Sequence, residues 1–463
     1  MNPIEEKNNF QDFQDFAERE NISAAQRETC SFAREHRDED TARLLLSAAR
    51  YPSIDMPAAV QQIEGLRTAR EKWPSLAECA EYLYPPRLNR EQASSEAAAL
   101  YKSRIISSCS PCGLTKSIDP TVGFLNHAAG GGEISPARYA HEIHRSNEMK
   151  PTAGLRIADL TGGMGVDTLA FAKVAEHVDY VERDAQLCAF MEHNLRALGV
   201  DNVTVHCADS LQWLAANPSP LSVLYLDPAR RDAAGRKVAA FEDCTPDLLA
   251  NLALLRGSCQ RLLVKASPMI DLALACRQLG GVSEVHVVEL RGECKEVLFL
   301  LGGAAAEEPQ IVCVNLNNQS IQNIQKTFTF TRSEEAAAEA DLCDAVGSWL
   351  YEPGAALMKA GPYRLLAQRY GLLMLGPNTH LYTADRRVDD FPGRVLRVVQ
   401  EVRGGRKELA ALLPDGRAHV VTRNYPAEAA TLQRQLGLRE GGDHFVVGTT
   451  VGRRRTLLLC EQE

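Results

Sequence analysis

The chain has 463 residues and a mass of 50.8 kDa, more than one hydrophobic core ordinarily organises, so several domains are expected. Hydrophobic residues at 45% and charged residues at 24% match soluble globular proteins and exclude a disordered or fibrous chain. The net charge of -9 excludes a uniformly basic surface, yet from Arg394 onward 12 Lys or Arg stand against 8 Asp or Glu, a local +4 that leaves -13 for the rest.

No run approaches the roughly 20 apolar residues of a membrane span, and the acidic start MNPIEEKNNF lacks a signal-peptide core, so a cytoplasmic protein without membrane contact is expected. Thirteen cysteines, mostly single within apolar segments, read as reduced thiols rather than a disulfide framework.

Residues 1–102 are rich in Ala, Glu, Arg and Leu at helical spacing and predict a small helical domain. Residues 103–150 contain SCSPCG and a glycine triplet and read as a loop-rich insertion. Cys109 and Cys112 have metal-ligand spacing, but no second pair follows, so no metal is expected.

Over 151–303, short β-branched runs alternate with helical segments, the pattern of a parallel sheet wrapped by helices. Seven strands are predicted: RIADL, HVDYVE, VTVHCA, SVLYLD, RLLVKA, VHVVEL and EVLFLL. The last two are joined by RGECK, too short for a crossover helix, so the seventh should run antiparallel to the sixth. That feature speaks against an ordinary NAD-dependent oxidoreductase. Residues 304–390 predict a connecting, helix-rich region, and 391–463 a small α+β domain.

The sharpest motif is IADLTGGMGVDT, a strand running into a turn with Thr161, Gly162, Gly163 and Gly165, then a helix. Such glycines permit positive φ and close backbone approach, and the helix start offers free N–H groups. Acidic residues follow at successive strand ends: Glu182, Asp209 with Ser210 beside it, and Asp227. In a doubly wound sheet these side chains converge beyond the carboxyl ends of the strands. Glu182 stands at the offset suited to ribose hydroxyls, Asp209 can accept from an adenine amino group, and Asp159 can hold a cationic amino-acid moiety. Any one of them alone reads as a helix N-cap or a solvated turn. The set together reads as a nucleoside-cofactor site.

Asp227-Pro228-Ala229-Arg230-Arg231 closes the fourth strand and is similar to the Asp/Asn-Pro-Pro-aromatic motif of enzymes that methylate exocyclic amines. Asp227 and Pro228 are the catalytic candidates. Arg230 and Arg231 replace the stacking ring and are substrate-binding candidates, because a guanidinium stacks on a base or pairs with phosphate. Cys294 in GECKE is a candidate nucleophile for carbon methylation, a weaker reading because the adjacent proline usual for such enzymes is missing. Arg453, Arg454 and Arg455 read equally as phosphate contacts or as a solvated turn.

With IADLTGGMGVDT and LDPARR, the stretches EQASSEAAALYK, GECKEVLFLL, YEPGAALMKAG, GPNTHLYTAD and GLREGGDHFVVGTT make the chain resemble bacterial class I methyltransferases with a C-terminal THUMP-like domain. The resemblance covers most of the chain from about Glu91 onward. It implies a Rossmann-like α/β sheet, a small ferredoxin-like segment around the sixth and seventh strands, and a C-terminal domain similar to RNA-binding THUMP modules. It implies S-adenosylmethionine as cofactor, held by Asp159, Gly162, Gly163, Gly165, Glu182 and Asp209, with Asp227 and Pro228 facing the acceptor. The implied activity is methylation of a base, at an exocyclic or ring nitrogen, in a structured RNA such as tRNA or rRNA. The rivals are a small-molecule or protein methyltransferase and a non-catalytic RNA-binding scaffold.

Overall fold

The computed structural model describes residues 24–109, 151–228, 241, 244–303, 307–316 and 324–462. Strand β1 (Thr152–Asp159), β2 (Ala175–Glu182), β3 (Val203–Cys207), β4 (Leu221–Leu226) and β5 (Cys259–Ala266) pair in parallel as β3-β2-β1-β4-β5. β6 (Val282–Leu290) and β7 (Glu293–Leu301) form a hairpin whose second strand lies between β5 and β6, antiparallel to both. The two turn residues, Arg291 and Gly292, both have positive φ, at 54° and 76°, the backbone twist that tight hairpins favour. The antiparallel seventh strand is therefore present.

The sheet has nine strands rather than the seven predicted. β8 (Gln310–Leu316) adds in parallel to β6, and β9 (Ile324–Phe330) folds back on β8. Their residues, QIVCVNL and the alternating KTFTF, lie beside polar segments that masked them.

Helices cover both faces of the sheet. Helix Glu96–Ser107, capped by Ser95 on the Ala98 N–H at 3.2 Å, turns Ala98, Tyr101, Ile105 and Ile106 onto Leu155, Ile157, Tyr225 and Leu298. It is thus a layer of the sheet domain, although it precedes β1 in sequence. The N-terminal helices reach the same body through Trp73, wholly buried, whose Nε1 donates to the Ser94 carbonyl at 2.6 Å. On the other side, Ser210–Ala216 and Leu272–Leu279 begin at Asp209 and Asp271, which cap the free N–H groups.

A second sheet comprises β10 (Trp349–Pro353), β11 (Leu373–Met374), β12 (Tyr382–Ala384), β13 (Gly393–Val402), β14 (His419–Arg423), β15 (His444–Val451) and β16 (Arg454–Gln462), in the order β11-β12-β10-β13-β16-β15-β14. β10 pairs antiparallel with β13, so one sheet runs unbroken through residue 391. Residues 304–390 therefore hold strands as well as helices. Tyr351, Leu366, Tyr382 and Phe391 share a core with Val287 and Phe299, which seats this sheet against the first. No helix among the described residues is long and apolar enough to cross a membrane.

Candidate active site

Because β1 to β4 run parallel, the residues at their carboxyl ends share one edge of the sheet. Asp159, Glu182, Asp209 and Asp227 all lie there, as their places in the sequence foretold.

The glycine turn is built by close packing. A Cβ on Gly162 would stand 2.2 Å from the Tyr180 ring, and one on Gly165, at φ 81°, would stand 2.4 Å from Met191 Sδ. The Tyr180 hydroxyl donates to the Gly163 carbonyl at 2.7 Å and pins the turn. Gly163 differs: at φ 53°, a Cβ there would meet only the Thr161 carbonyl, at 3.7 Å. Its backbone faces open space, the room a close-approaching ligand needs.

Glu182 is tied to this turn. Its Oε2 accepts from the Gly163 N–H at 3.0 Å, and Oε1 accepts from the Arg183 and Asp184 N–H groups at 2.9 and 3.0 Å. A carboxylate offers about four acceptor sites, so one position remains for a ribose hydroxyl. Asp209 caps its helix through Oδ1, accepting from Leu211 and Gln212 N–H at 3.1 and 3.0 Å. Its Oδ2 carries no hydrogen bond among the described residues. Ser210 is the first residue of that helix.

Asp159 is 1% exposed and accepts from the Thr168 hydroxyl at 2.7 Å and the Thr161 N–H at 3.1 Å. Burial pushes its carboxyl up to about 7, aided by the neighbouring Asp167 and Asp227, while the two hydrogen bonds act in the opposite sense. A cationic ligand group at this edge restores the charge that burial disfavours. Open backbone at Gly163, acceptor oxygens on Glu182 and Asp209, and a carboxyl awaiting a cation fit S-adenosylmethionine.

Asp227 stands at the mouth of the site, 26% exposed. Its backbone N–H donates to the Thr161 hydroxyl at 2.7 Å, and its Oδ2 accepts from Lys265 Nζ at 2.6 Å. Pro228 behind it is buried. Arg230 and Arg231 lie outside the described residues, as does residue Cys112. Cys109 is buried at the end of its helix.

Sequence reasoning missed what stands behind Asp227. Lys265 on β5 also lies 3.2 Å from Ser94 Oγ and 3.8 Å from Glu296 Oε2 on β7. Lys102, wholly buried on helix Glu96–Ser107, donates to both Glu296 oxygens at 2.9 and 3.1 Å and to Ser94 Oγ at 3.1 Å, and lies 3.1 Å from Asp167 Oδ1. Asp167 Oδ2 accepts from the Ser94 and Tyr225 hydroxyls at 2.8 and 2.9 Å. Burial alone would lower Lys265, but Asp227, Glu296 and Asp167 outweigh it and hold the ammonium above its usual range. Burial likewise opposes the Asp167 charge, and Lys102 and Lys265 override it, keeping that carboxyl below its usual range. Buried charges persist only when paired in this way. The available signal was a lysine ending an otherwise apolar strand, RLLVKA.

Cys294 is an unsuitable nucleophile, because burial pushes its thiol up to about 11. Arg453 is exposed in the turn between β15 and β16, Arg455 is exposed at the start of β16, opposite Thr450 of β15, and Arg454 pairs with Glu401. No group of three or more metal-ligating side chains occurs among the described residues.

Residues 349–392 match a ferredoxin-like domain and residues 393–462 a THUMP domain-like module. The ferredoxin-like part is therefore in the second sheet, not around the sixth and seventh strands of the first. An uncharacterized S-adenosylmethionine-dependent methyltransferase of Mycobacterium tuberculosis is 27% identical over 314 residues, 67% of this chain and 80% of its own length. A shorter stretch, 22% of this chain and 23% of the relative, is 36% identical to the 23S rRNA (uracil(1939)-C(5))-methyltransferase of Shewanella amazonensis. The solved structure of a protein described as a methyltransferase, from Porphyromonas gingivalis W83, is 28% identical with a TM-score of 0.73, covering 94% of this chain and 97% of that one.

Sheet order, glycine turn and these similarities define a class I S-adenosylmethionine-dependent methyltransferase. Within that class, this chain carries C-terminal ferredoxin-like and THUMP-like domains joined in one sheet.

Proposed function

We propose that the chain is a cytoplasmic enzyme that methylates RNA, with Asp227 and Pro228 receiving the acceptor and the THUMP-like sheet engaging the RNA strand. The observation that carries this reading is the convergence of Asp159, Glu182, Asp209 and Asp227 on one sheet edge in a chain that also holds a THUMP domain-like module. The 23S rRNA relative supports RNA over other acceptors, with tRNA and rRNA the candidate molecules.

The cofactor, when bound, supplies a methyl group already activated on a sulfonium. The chain's own work is positional. Gly163 and Glu182 form the ribose side of the site, Asp209 and Ser210 the base side, and Asp159 the cationic end. Asp227, anchored through its N–H to Thr161, sets the acceptor against the same glycine turn. A base acceptor has to be swung out of its stack to reach this edge, and Arg230 and Arg231 are proposed to grip it.

Incubating the full chain with methyl-labelled S-adenosylmethionine and total RNA from cells lacking this protein tests the proposal. Label should enter RNA with the wild type and not with Asp227→Ala. Label entering protein or small molecules instead would overturn the RNA assignment.

A further inference from the structure

We propose that the group methylated at Asp227 is a hydroxyl oxygen, in RNA the ribose 2′-hydroxyl, and that Lys265 is a catalytic residue that contacts it. This rests on the RNA reading above and departs from the base nitrogen that the DPARR motif suggested.

The argument starts from register. Leu226 of β4 pairs with Val264 of β5, so the next residues along, Asp227 and Lys265, sit side by side at the carboxyl edge. Asp227 gives one oxygen to Lys265, and its Oδ1 carries no hydrogen bond among the described residues. Lys265 has three N–H donors. One is on Asp227 at 2.6 Å and one on Ser94 at 3.2 Å, while Glu296 stands at 3.8 Å, beyond hydrogen-bonding reach. The pair thus presents one acceptor oxygen beside one ammonium donor.

That combination matches a hydroxyl, which donates one hydrogen bond and accepts others. An amino nitrogen matches it poorly. It needs acceptors for its N–H groups and keeps its lone pair for the methyl, leaving the ammonium nothing to bind. Charge development points the same way, since an amine gains positive charge as it takes a methyl group and an adjacent ammonium opposes that. A hydroxyl oxygen gains negative charge as its proton leaves, and an ammonium held in place stabilises it.

The step balances. The hydroxyl oxygen forms the new C–O bond, the methyl–sulfur bond breaks with its electron pair passing to sulfur, and the hydroxyl proton leaves by way of Asp227 Oδ1 to water. No oxidant or metal is required.

The remaining cluster keeps Lys265 from moving. Ser94 accepts from both Lys265 and Lys102 and donates to Asp167, and Lys102 clamps Glu296 with two bonds. Ser94, Lys102 and Glu296 are positioning residues, which makes the segment preceding β1 part of the catalytic centre.

The test is the chemical position of the methyl group. Total RNA from cells lacking the protein is labelled by the full chain with methyl-labelled S-adenosylmethionine, then hydrolysed in alkali. A 2′-O-methyl group blocks cleavage at its own phosphodiester, so label is expected in alkali-stable dinucleotides. Label in mononucleotides with a methylated base would overturn the hydroxyl assignment and leave the RNA function standing. Absence of label from RNA would overturn both.

Lys265→Met is expected to lower kcat by roughly 100-fold with the KM for S-adenosylmethionine within about twofold, and Lys265→Arg to recover part of the loss. Wild-type kcat in Lys265→Met, or an equal loss of cofactor affinity in both variants, would overturn the role of Lys265.

Discussion

The backbone N–H of Asp227 donates to the side-chain hydroxyl of Thr161 at 2.7 Å, joining the end of β4 to the glycine turn. One hydrogen bond thereby sets the two halves of the proposed reaction at a fixed distance. In Thr161→Val the Asp227 N–H loses its partner at a partly buried place, which costs about 1–3 kcal/mol of stability. Steady-state kinetics should show kcat falling by roughly tenfold or more, because small displacements of a positioned group are costly, with cofactor affinity changed far less. An equal fall in cofactor affinity would mean that the bond serves the turn alone.

Asp159 gives a pH signature of unusual sign. Its folded-state pKa of about 7 lies above its ordinary 3.8, so the folded chain holds this proton more tightly than the unfolded chain. By linkage, its contribution to stability declines as pH rises from about 4 to about 7, the reverse of an ion-paired aspartate. Asp159→Asn should remove that decline, which denaturant titrations across this range will show. A cationic cofactor favours the carboxylate, so binding near pH 6 should release protons in the wild type, measurable by calorimetry in buffers of different ionisation enthalpy, and should release fewer in Asp159→Asn.

Gly162 and Gly163 of the turn should not be equivalent. Gly162→Ala places a methyl 2.2 Å from the Tyr180 ring, and overpacking of this kind costs about 1–3 kcal/mol. Gly163→Ala meets open space, so the strain of positive φ, roughly 1–2 kcal/mol, is its only structural cost. Thermal melting should therefore rank Gly162→Ala below Gly163→Ala. Cofactor affinity should show the opposite order, since only a methyl added at residue 163 would project into the open space proposed for the ligand.

Cys294→Ala should keep methyl transfer within about twofold of wild type, since a thiol pushed up to about 11 supplies little thiolate near neutrality. Loss of activity, or a covalent RNA adduct trapped on the wild type, would restore the carbon-methylation reading.

Arg453 and Arg455 offer a check on the RNA face. Arg453 is exposed on the β15–β16 turn and Arg455 at the start of β16, and neither makes an ion pair with a described residue. If they reach phosphate, each Arg→Ala change lowers the slope of log affinity against log salt by about one. An unchanged slope would leave them a solvated turn.

The parts of the site legible in the sequence are those built from local backbone geometry. IADLTGGMGVDT announces its turn because Gly165 needs φ 81° and Gly162 must clear Tyr180, and the acidic residues are recognisable as ends of apolar runs. The capping role of Asp209 was equally local. The charged cluster was not legible, since Lys102 meets Glu296 across 194 residues and Ser94 meets Lys265 across 171. Each residue sits within a stretch that carried the resemblance or a predicted strand, but no spacing rule links a helix before β1 to the starts and ends of β5 and β7. β8 and β9 escaped for a different reason, because they are set among polar segments.

The most direct test of the central claim is isothermal titration of the full chain with S-adenosylmethionine and with NAD, for the wild type and for Glu182→Ala. The site described requires one S-adenosylmethionine per chain, no NAD binding, and an affinity at least tenfold weaker in Glu182→Ala, where about 1.4 kcal/mol corresponds to tenfold. Binding of NAD, or of neither ligand, would contradict it and leave the glycine turn a purely structural feature.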